Sequence, residues 1–145
     1  MPTPATDALA EKHRQRIAAS VPDASILVTG SASVDGLPAN DLDVVVLVSD
    51  VRAAAVRLRK DYPPLYEDEW RDDWAAFRDP GPPQVDLVVT QPGTKGDAHH
   101  RRAWELLASD PGLLAEYRRL KARSEDYEER KAAFFERVVT LLEDR

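Results

Sequence analysis

Two carboxylates open an apolar run at Asp41-Leu42-Asp43. A third, Asp86, stands near the start of another, Val85-Asp86-Leu87-Val88-Val89. Side chains at i and i+2 of a strand share a face, so Asp41 and Asp43 point one way and Leu42 and Val44 the other. If the two strands are neighbours, the three acids converge. Like charges that close repel one another unless a cation sits between them. Oxygen-only donors suit Mg2+ or Mn2+, the ions of phosphoryl and nucleotidyl transfer. Upstream, Gly30-Ser31 closes the run Ile26-Leu27-Val28-Thr29. Glycine lets the backbone approach a phosphate, and N–H groups with a serine hydroxyl can hold its oxygens. A lone Asp-x-Asp equally describes the polar lip of a buried strand. The combination of strand, Gly-Ser, spacer, Asp-x-Asp and later acid is what points to a metal site.

The elements that must position these groups follow from hydrophobic periodicity. A helix is expected from about Thr6 to Ala19, capped by Thr6 or Asp7 and broken at Val21-Pro22-Asp23. "SILVTG" and "DLDVVVLV" read as buried strands. Ser49 or Asp50 caps a helix over "VRAAAVRLRKDY", which Pro63-Pro64 stops. "DWAAFR" and "QVDLVVT" read as adjacent antiparallel strands joined by "DPGPP". From about Asp97 the chain is helical in three pieces. These are "GDAHHRRAWELLAS", "DPGLLAEYRRLKARS" with Asp110 as N-cap and Pro111 at its first position, and "SEDYEERKAAFFERVVTLLEDR", whose Ser124-Glu125-Asp126 offers acids to its N-terminus. The order predicts an α+β fold, a mixed sheet packed against helices, as one domain. Its core would span about residues 1–95 and a helical C-terminal part about 97–145.

The same residues carry a resemblance. Gly-Ser, a spacer of roughly ten residues, Asp-x-Asp and a third acid resemble the nucleotidyltransferase superfamily with the polymerase-beta-like core. Within it, "GSASVDGLPANDLDVVV" resembles the GrpB family's Gly-Ser-Thr-Ser-Val-Pro-Gly-Leu-x-Ala-Lys-Pro-x-x-Asp-x-x-Val. "HHRRAWELLASDPGLLAEYRRLKARS" and "YEERKAAFFERV" are similar to its Arg-rich helix, its Asp-Pro junction and its Tyr-x-x-x-Lys-x-x-Phe ending. The likeness runs from about Ser25 to Leu142 and is weakest over residues 64–84. The chain departs from the family pattern at Val34-Asp35-Gly36 and at Asn40. It also departs at Asp86, where the family often has histidine. The resemblance implies a nucleotidyltransferase-type sheet on which Asp41, Asp43 and Asp86 bind Mg2+ or Mn2+ and do the catalysis. It further implies that Gly30 and Ser31 hold the phosphates of an NTP, ATP or GTP, with the acceptor unspecified.

Such a reaction needs cations against the triphosphate. Tyr127, Lys131, Phe134, Phe135 and Val138 fall on one helical stripe, so Lys131 interrupts an apolar face. Leu113, Leu114, Tyr117 and Leu120 form another, which Lys121 extends. An inward lysine needs a partner, and phosphate or a carboxylate cluster would serve; a lysine at the stripe's edge snorkels instead. In His99-His100-Arg101-Arg102, Arg101 or Arg102 is the candidate phosphate contact, and the bland alternative is a solvated helix face. The adjacent histidines point roughly 100° apart and do not form a joint metal site. Trp70 and Trp74 read as packing residues rather than a base-stacking platform.

Composition sets the outer bounds. The chain has 145 residues, 43% hydrophobic and 32% charged, and no cysteine, so disulfides and thiolate-bound zinc are excluded. A net charge of −6 counts against binding nucleic acid through a broad basic surface. No run is long enough to cross a bilayer and no signal peptide is apparent, so a cytoplasmic protein is expected. No G-x-S-x-G or P-loop is present. The alternative to an enzyme is a non-catalytic nucleotide-binding or protein-interaction domain with the same fold.

Overall fold

The computed structural model describes residues 4–34, 37, 41–122 and 125–143. The departures at Asp35, Gly36 and Asn40, and the cap residue Ser124, lie outside them. In chain order the elements begin with α1 (Pro4–Ser20) and β1 (Ser25–Thr29), followed by a 3-10 turn (Gly30–Ser33). Next come β2 (Leu42–Leu47), α2 (Val51–Leu58), β3 (Pro64–Leu65), a second 3-10 turn (Glu67–Glu69), β4 (Trp74–Asp79) and β5 (Val85–Thr90). The C-terminal part holds α3 (Lys95–Asp97), a π-helical turn (Ala98–Arg102), α4 (Ala103–Ser109), α5 (Pro111–Lys121) and α6 (Tyr127–Glu143).

The strands form one mixed sheet in the order β1-β2-β5-β4-β3. Strands β2 and β5 are parallel, and every other pair is antiparallel, including the expected β4–β5 hairpin. The central position of β2 and β5 explains their near-continuous Val/Leu runs, since both of their faces are covered. On one face, Leu42, Val44, Val46, Val85, Leu87 and Val89 join Phe77, Ile17 and the buried side of α2 in the larger core. Asp50 caps α2, accepting from the Ala53 amide at 3.1 Å. A second core, built from Ala103, Leu106, Leu107, Tyr117, Phe134, Phe135 and Val138, ties α4, α5 and α6 together.

Two local expectations change. Helix α1 already includes Pro4, so Thr6 and Asp7 lie inside it and do not cap it. The single helix expected after Asp97 is interrupted by the π turn. The buried Asp97 carboxylate holds this segment, accepting from Arg101 at 2.6 and 2.7 Å and from the Gly93 amide at 2.9 Å. Among the described residues no helix is long and apolar enough to cross a membrane.

Candidate active site

The face of the sheet opposite α1 and α2 is the floor of a cavity of about 400 Å3. Thr29, Gly30, Asp43, Val45, Asp86 and Val88 come from the sheet side. His99, His100, Trp104, Glu128, Lys131 and Phe135 come from the C-terminal helices opposite. Strand alternation builds this arrangement. Asp43 and Asp86 are register partners across the parallel β2–β5 pair, so their side chains emerge side by side on the same face.

The two carboxylates have different surroundings. Asp43 makes no hydrogen bond or ion pair among the described residues. Burial, and then the charge of Asp86, push its carboxyl up to about 6, against the opposing pull of Lys131. Asp86 is held in a fork: Arg78 Nε donates to Oδ1 at 2.7 Å and Nη2 to Oδ2 at 3.0 Å. Arg78 faces Asp86 across the β4–β5 pair, and the Tyr66 side chain is close enough to act on its guanidinium.

Gly30 has a specific structural reason. Its φ is +68°, and a Cβ there would lie 2.4 Å from Asp43 Oδ2. Only glycine permits both the left-handed turn and the approach of that carboxylate. Ser31 turns instead toward the Tyr117 hydroxyl, whose pKa burial raises. His100 is neutral over the physiological range, since burial lowers its pKa to about 4, and its ring lies 6.2 Å from that of Trp74. The His99 Nε2 is buried without a hydrogen bond, 3.6 Å from Glu136 Oε1.

The structure therefore brings Gly30, Asp43, Asp86 and Lys131 to one cavity. It does not bring the other candidates to its wall. Asp41 is exposed at the entry to β2, close enough to act electrostatically on Asp43. Lys121 is exposed at the end of α5. Arg101 is committed to Asp97 and Glu105, and Arg102 lies off the cavity. Sequence reading missed Glu128 and Arg78 and gave the two histidines a solvated face. Glu128 sits one helical turn before Lys131, and Arg78 is the register partner of Asp86 on β4. Both were readable from period, had the register been known. The paired tryptophans separate: Trp70 packs on the larger core, whereas Trp74 lines a second groove with Arg71, Lys95 and the two histidines.

Among the described residues, no group of three or more His, Asp or Glu side chains is arranged to hold a metal ion. The donor pair itself fits a hard cation. Asp43 and Asp86 are adjacent, oxygen-only and mutually repulsive, and among the described residues none donates a hydrogen bond to Asp43.

The family profile for the GrpB protein matches residues 2–140. No curated protein matches the sequence. Among solved structures the chain is similar to the conserved protein GrpB from Enterococcus faecalis. That match has a TM-score of 0.74 and 20% identity, and covers 96% of this chain and 93% of that one. It is also similar to the Cid1 poly(U) polymerase in its MgGTP-bound form. There the TM-score is 0.50 and the identity 18%, over 79% of this chain and 38% of that one. At these identities the likeness is one of fold, and it agrees with the expected nucleotidyltransferase-type sheet. The chain belongs to the GrpB family.

Proposed function

We propose that this protein is a cytoplasmic nucleotidyltransferase that moves a nucleoside monophosphate from ATP or GTP to an acceptor, using Mg2+ or Mn2+. One observation carries the reading: the in-register pair Asp43 and Asp86 faces a cavity with Lys131 on its opposite wall. The MgGTP in the Cid1 structure lends support, as a nucleotide held by a protein of similar fold. Asp43 and Asp86 would hold the metal, with Asp41 at the strand entry as a further donor. When bound there, the ion would offset phosphate charge and favour the departure of pyrophosphate.

The chain's own groups then have distinct tasks. Lys131 sets a cation against the triphosphate. Gly30 leaves the turn after β1 free of a side chain beside Asp43. Trp104 and Phe135 exclude water from one wall. The acceptor nucleophile attacks the α-phosphorus in line and the bond to the β-phosphate bridging oxygen breaks. Pyrophosphate leaves, and the acceptor's proton passes to a cavity carboxylate. Ser31, Lys121, Arg101 and Arg102 have no part in this reading, because none of them faces the cavity.

A nucleotide-binding domain without catalysis is the second reading, favoured by the occupation of both Asp86 oxygens by Arg78. Labelled NTP with Mg2+, candidate acceptors and a pyrophosphate assay separate the two. Pyrophosphate release that Asp43→Ala abolishes supports the enzyme. Mg2+-dependent binding of ATP or GTP without release supports the binder. Neither reading survives if Asp43→Ala binds metal and nucleotide as the parent does.

A further inference from the structure

Among the described residues, Asp86 is the cavity carboxylate that is paired with a cation from within the chain. Arg78 takes both of its oxygens, at 2.7 and 3.0 Å, in the planar fork that a guanidinium forms with a carboxylate. The fork is reinforced on both sides. Gln84 Nε2 approaches Asp86 Oδ2 at 3.4 Å, and Tyr66 stands beside the guanidinium. Tyr66 reaches that place from a left-handed backbone, φ +52°, which a bulky non-glycine residue rarely adopts. It is more than half exposed, so burial of its ring does not account for the conformation. The Arg78 side chain is itself 36% exposed, so water can receive the guanidinium when it leaves the carboxylate.

We infer that Arg78 is a built-in competitor for the divalent cation, holding Asp86 until a metal–nucleotide complex displaces the guanidinium. The inference rests on the metal-binding reading proposed above. Its logic is exchange of one positive partner for another at the same two oxygens. A free metal ion must displace Arg78 and leave the guanidinium with water alone. A metal that arrives with a triphosphate brings phosphate oxygens for the displaced guanidinium. The arrangement therefore favours the metal–nucleotide complex over free metal, and Arg78 acts on the reaction as a positioning residue through Asp86.

Titration of free Mn2+ followed by electron paramagnetic resonance tests this on the full chain, with no turnover required. Arg78→Gln is expected to bind free Mn2+ about tenfold more tightly than the parent, and Arg78→Gln combined with Asp86→Asn to lose that gain. Tyr66→Phe, which keeps the fork and removes the hydroxyl beside the guanidinium, is expected to tighten binding about twofold. With Mn2+ supplied as a GTP complex, the advantage of Arg78→Gln is expected to shrink or reverse. A residue with a merely structural role would weaken metal binding when replaced; thermal melts of each variant identify loss of fold. Equal or weaker Mn2+ affinity in folded Arg78→Gln overturns the competitor role while leaving the metal site standing. Absence of Mn2+ binding in both the parent and the variant overturns the metal site and the competitor together.

Discussion

The two faces of β2 and β5 are made from the same twelve residues and do opposite work. Leu42, Val44 and Val46 beside Val85, Leu87 and Val89 close the larger core. One residue out of phase, Asp43 beside Asp86 meets the cavity. One face is stabilised by leaving water. The other carries a carboxylate that burial and a like charge make unfavourable to ionise. A period of two thus lets the strands that fix the fold also carry its strain. Leu87→Ala should break the first face: Leu87 is fully buried between register partners Val44 and Phe77. A loss of about 3 kcal/mol is expected from the transfer and cavity effects together. Urea denaturation reads it as a lower midpoint with an unchanged slope.

Gly30→Ala attacks the other face through its backbone. The left-handed turn costs an alanine about 1–2 kcal/mol, and the new methyl would meet Asp43 Oδ2 at 2.4 Å. That oxygen is the end of a side chain, so the carboxylate gives way and the fold survives. The expected outcome is a loss of about 2 kcal/mol with Asp43 displaced. Comparing melts with nucleotide-dependent Mg2+ binding checks it. A stable Gly30→Ala protein with unaltered binding would dissociate the glycine from the site.

How far the sequence shows this division depends on distance along the chain. Strand alternation is local, so it shows that Asp43 opposes Leu42 and Val44, and the Asp50 and Asp110 caps are read the same way. The pairing of Asp43 with Asp86 is a register across a parallel crossover, set by tertiary packing; alternation showed only that the acids would meet if the two strands were neighbours, and the neighbouring itself is not local information. Asp41 lies just before β2, which begins at Leu42, so alternation does not place it on the cavity floor and it acts on Asp43 from the strand entry. Lys131 and Lys121 both sit on apolar stripes, yet only α6 turns its lysine to the cavity. The π turn escaped notice because it is held by Asp97, Gly93 and Arg101 rather than by an apolar pattern. Both histidines line the cavity, where a solvated helix face was the bland alternative read from the sequence.

Asp43→Asn should sharpen the contrast, because here removing a charge from the interior should stabilise. The unfolded carboxyl titrates near 3.8 and the folded one near 6. The folded state therefore binds the proton more tightly, and this group's contribution to stability is lost as pH rises from about 4 through 6. Above that range, in chelator, Asp43→Asn is expected to be more stable than the parent by on the order of 1–2 kcal/mol. Below about pH 4 the difference should vanish. His100 has the opposite tendency. Its pKa falls from 6.5 to about 4, so its contribution is lost as pH drops through that window. Both proteins share that loss, and it cancels in the difference. Paired denaturation curves from pH 4 to 8 test the sign. A destabilised Asp43→Asn at pH 8 would mean that the carboxylate is held by bonds the structure does not contain.

The smallest effect separates the two lysines. Lys131 lines the cavity and favours the ionised form of Asp43, whereas Lys121 is exposed at the end of α5 and has no such influence. Lys131→Met should therefore move the Asp43 midpoint further above 6 and leave the melting temperature nearly unchanged. Lys121→Met should move neither, as expected of a surface substitution within about 0.5 kcal/mol. Carboxyl carbon chemical shifts followed against pH resolve the difference directly. An Asp43 midpoint that ignores Lys131→Met would place the ammonium too far away to act. The cavity would then lose the cation assigned to the triphosphate, while the acid pair on the sheet would stand.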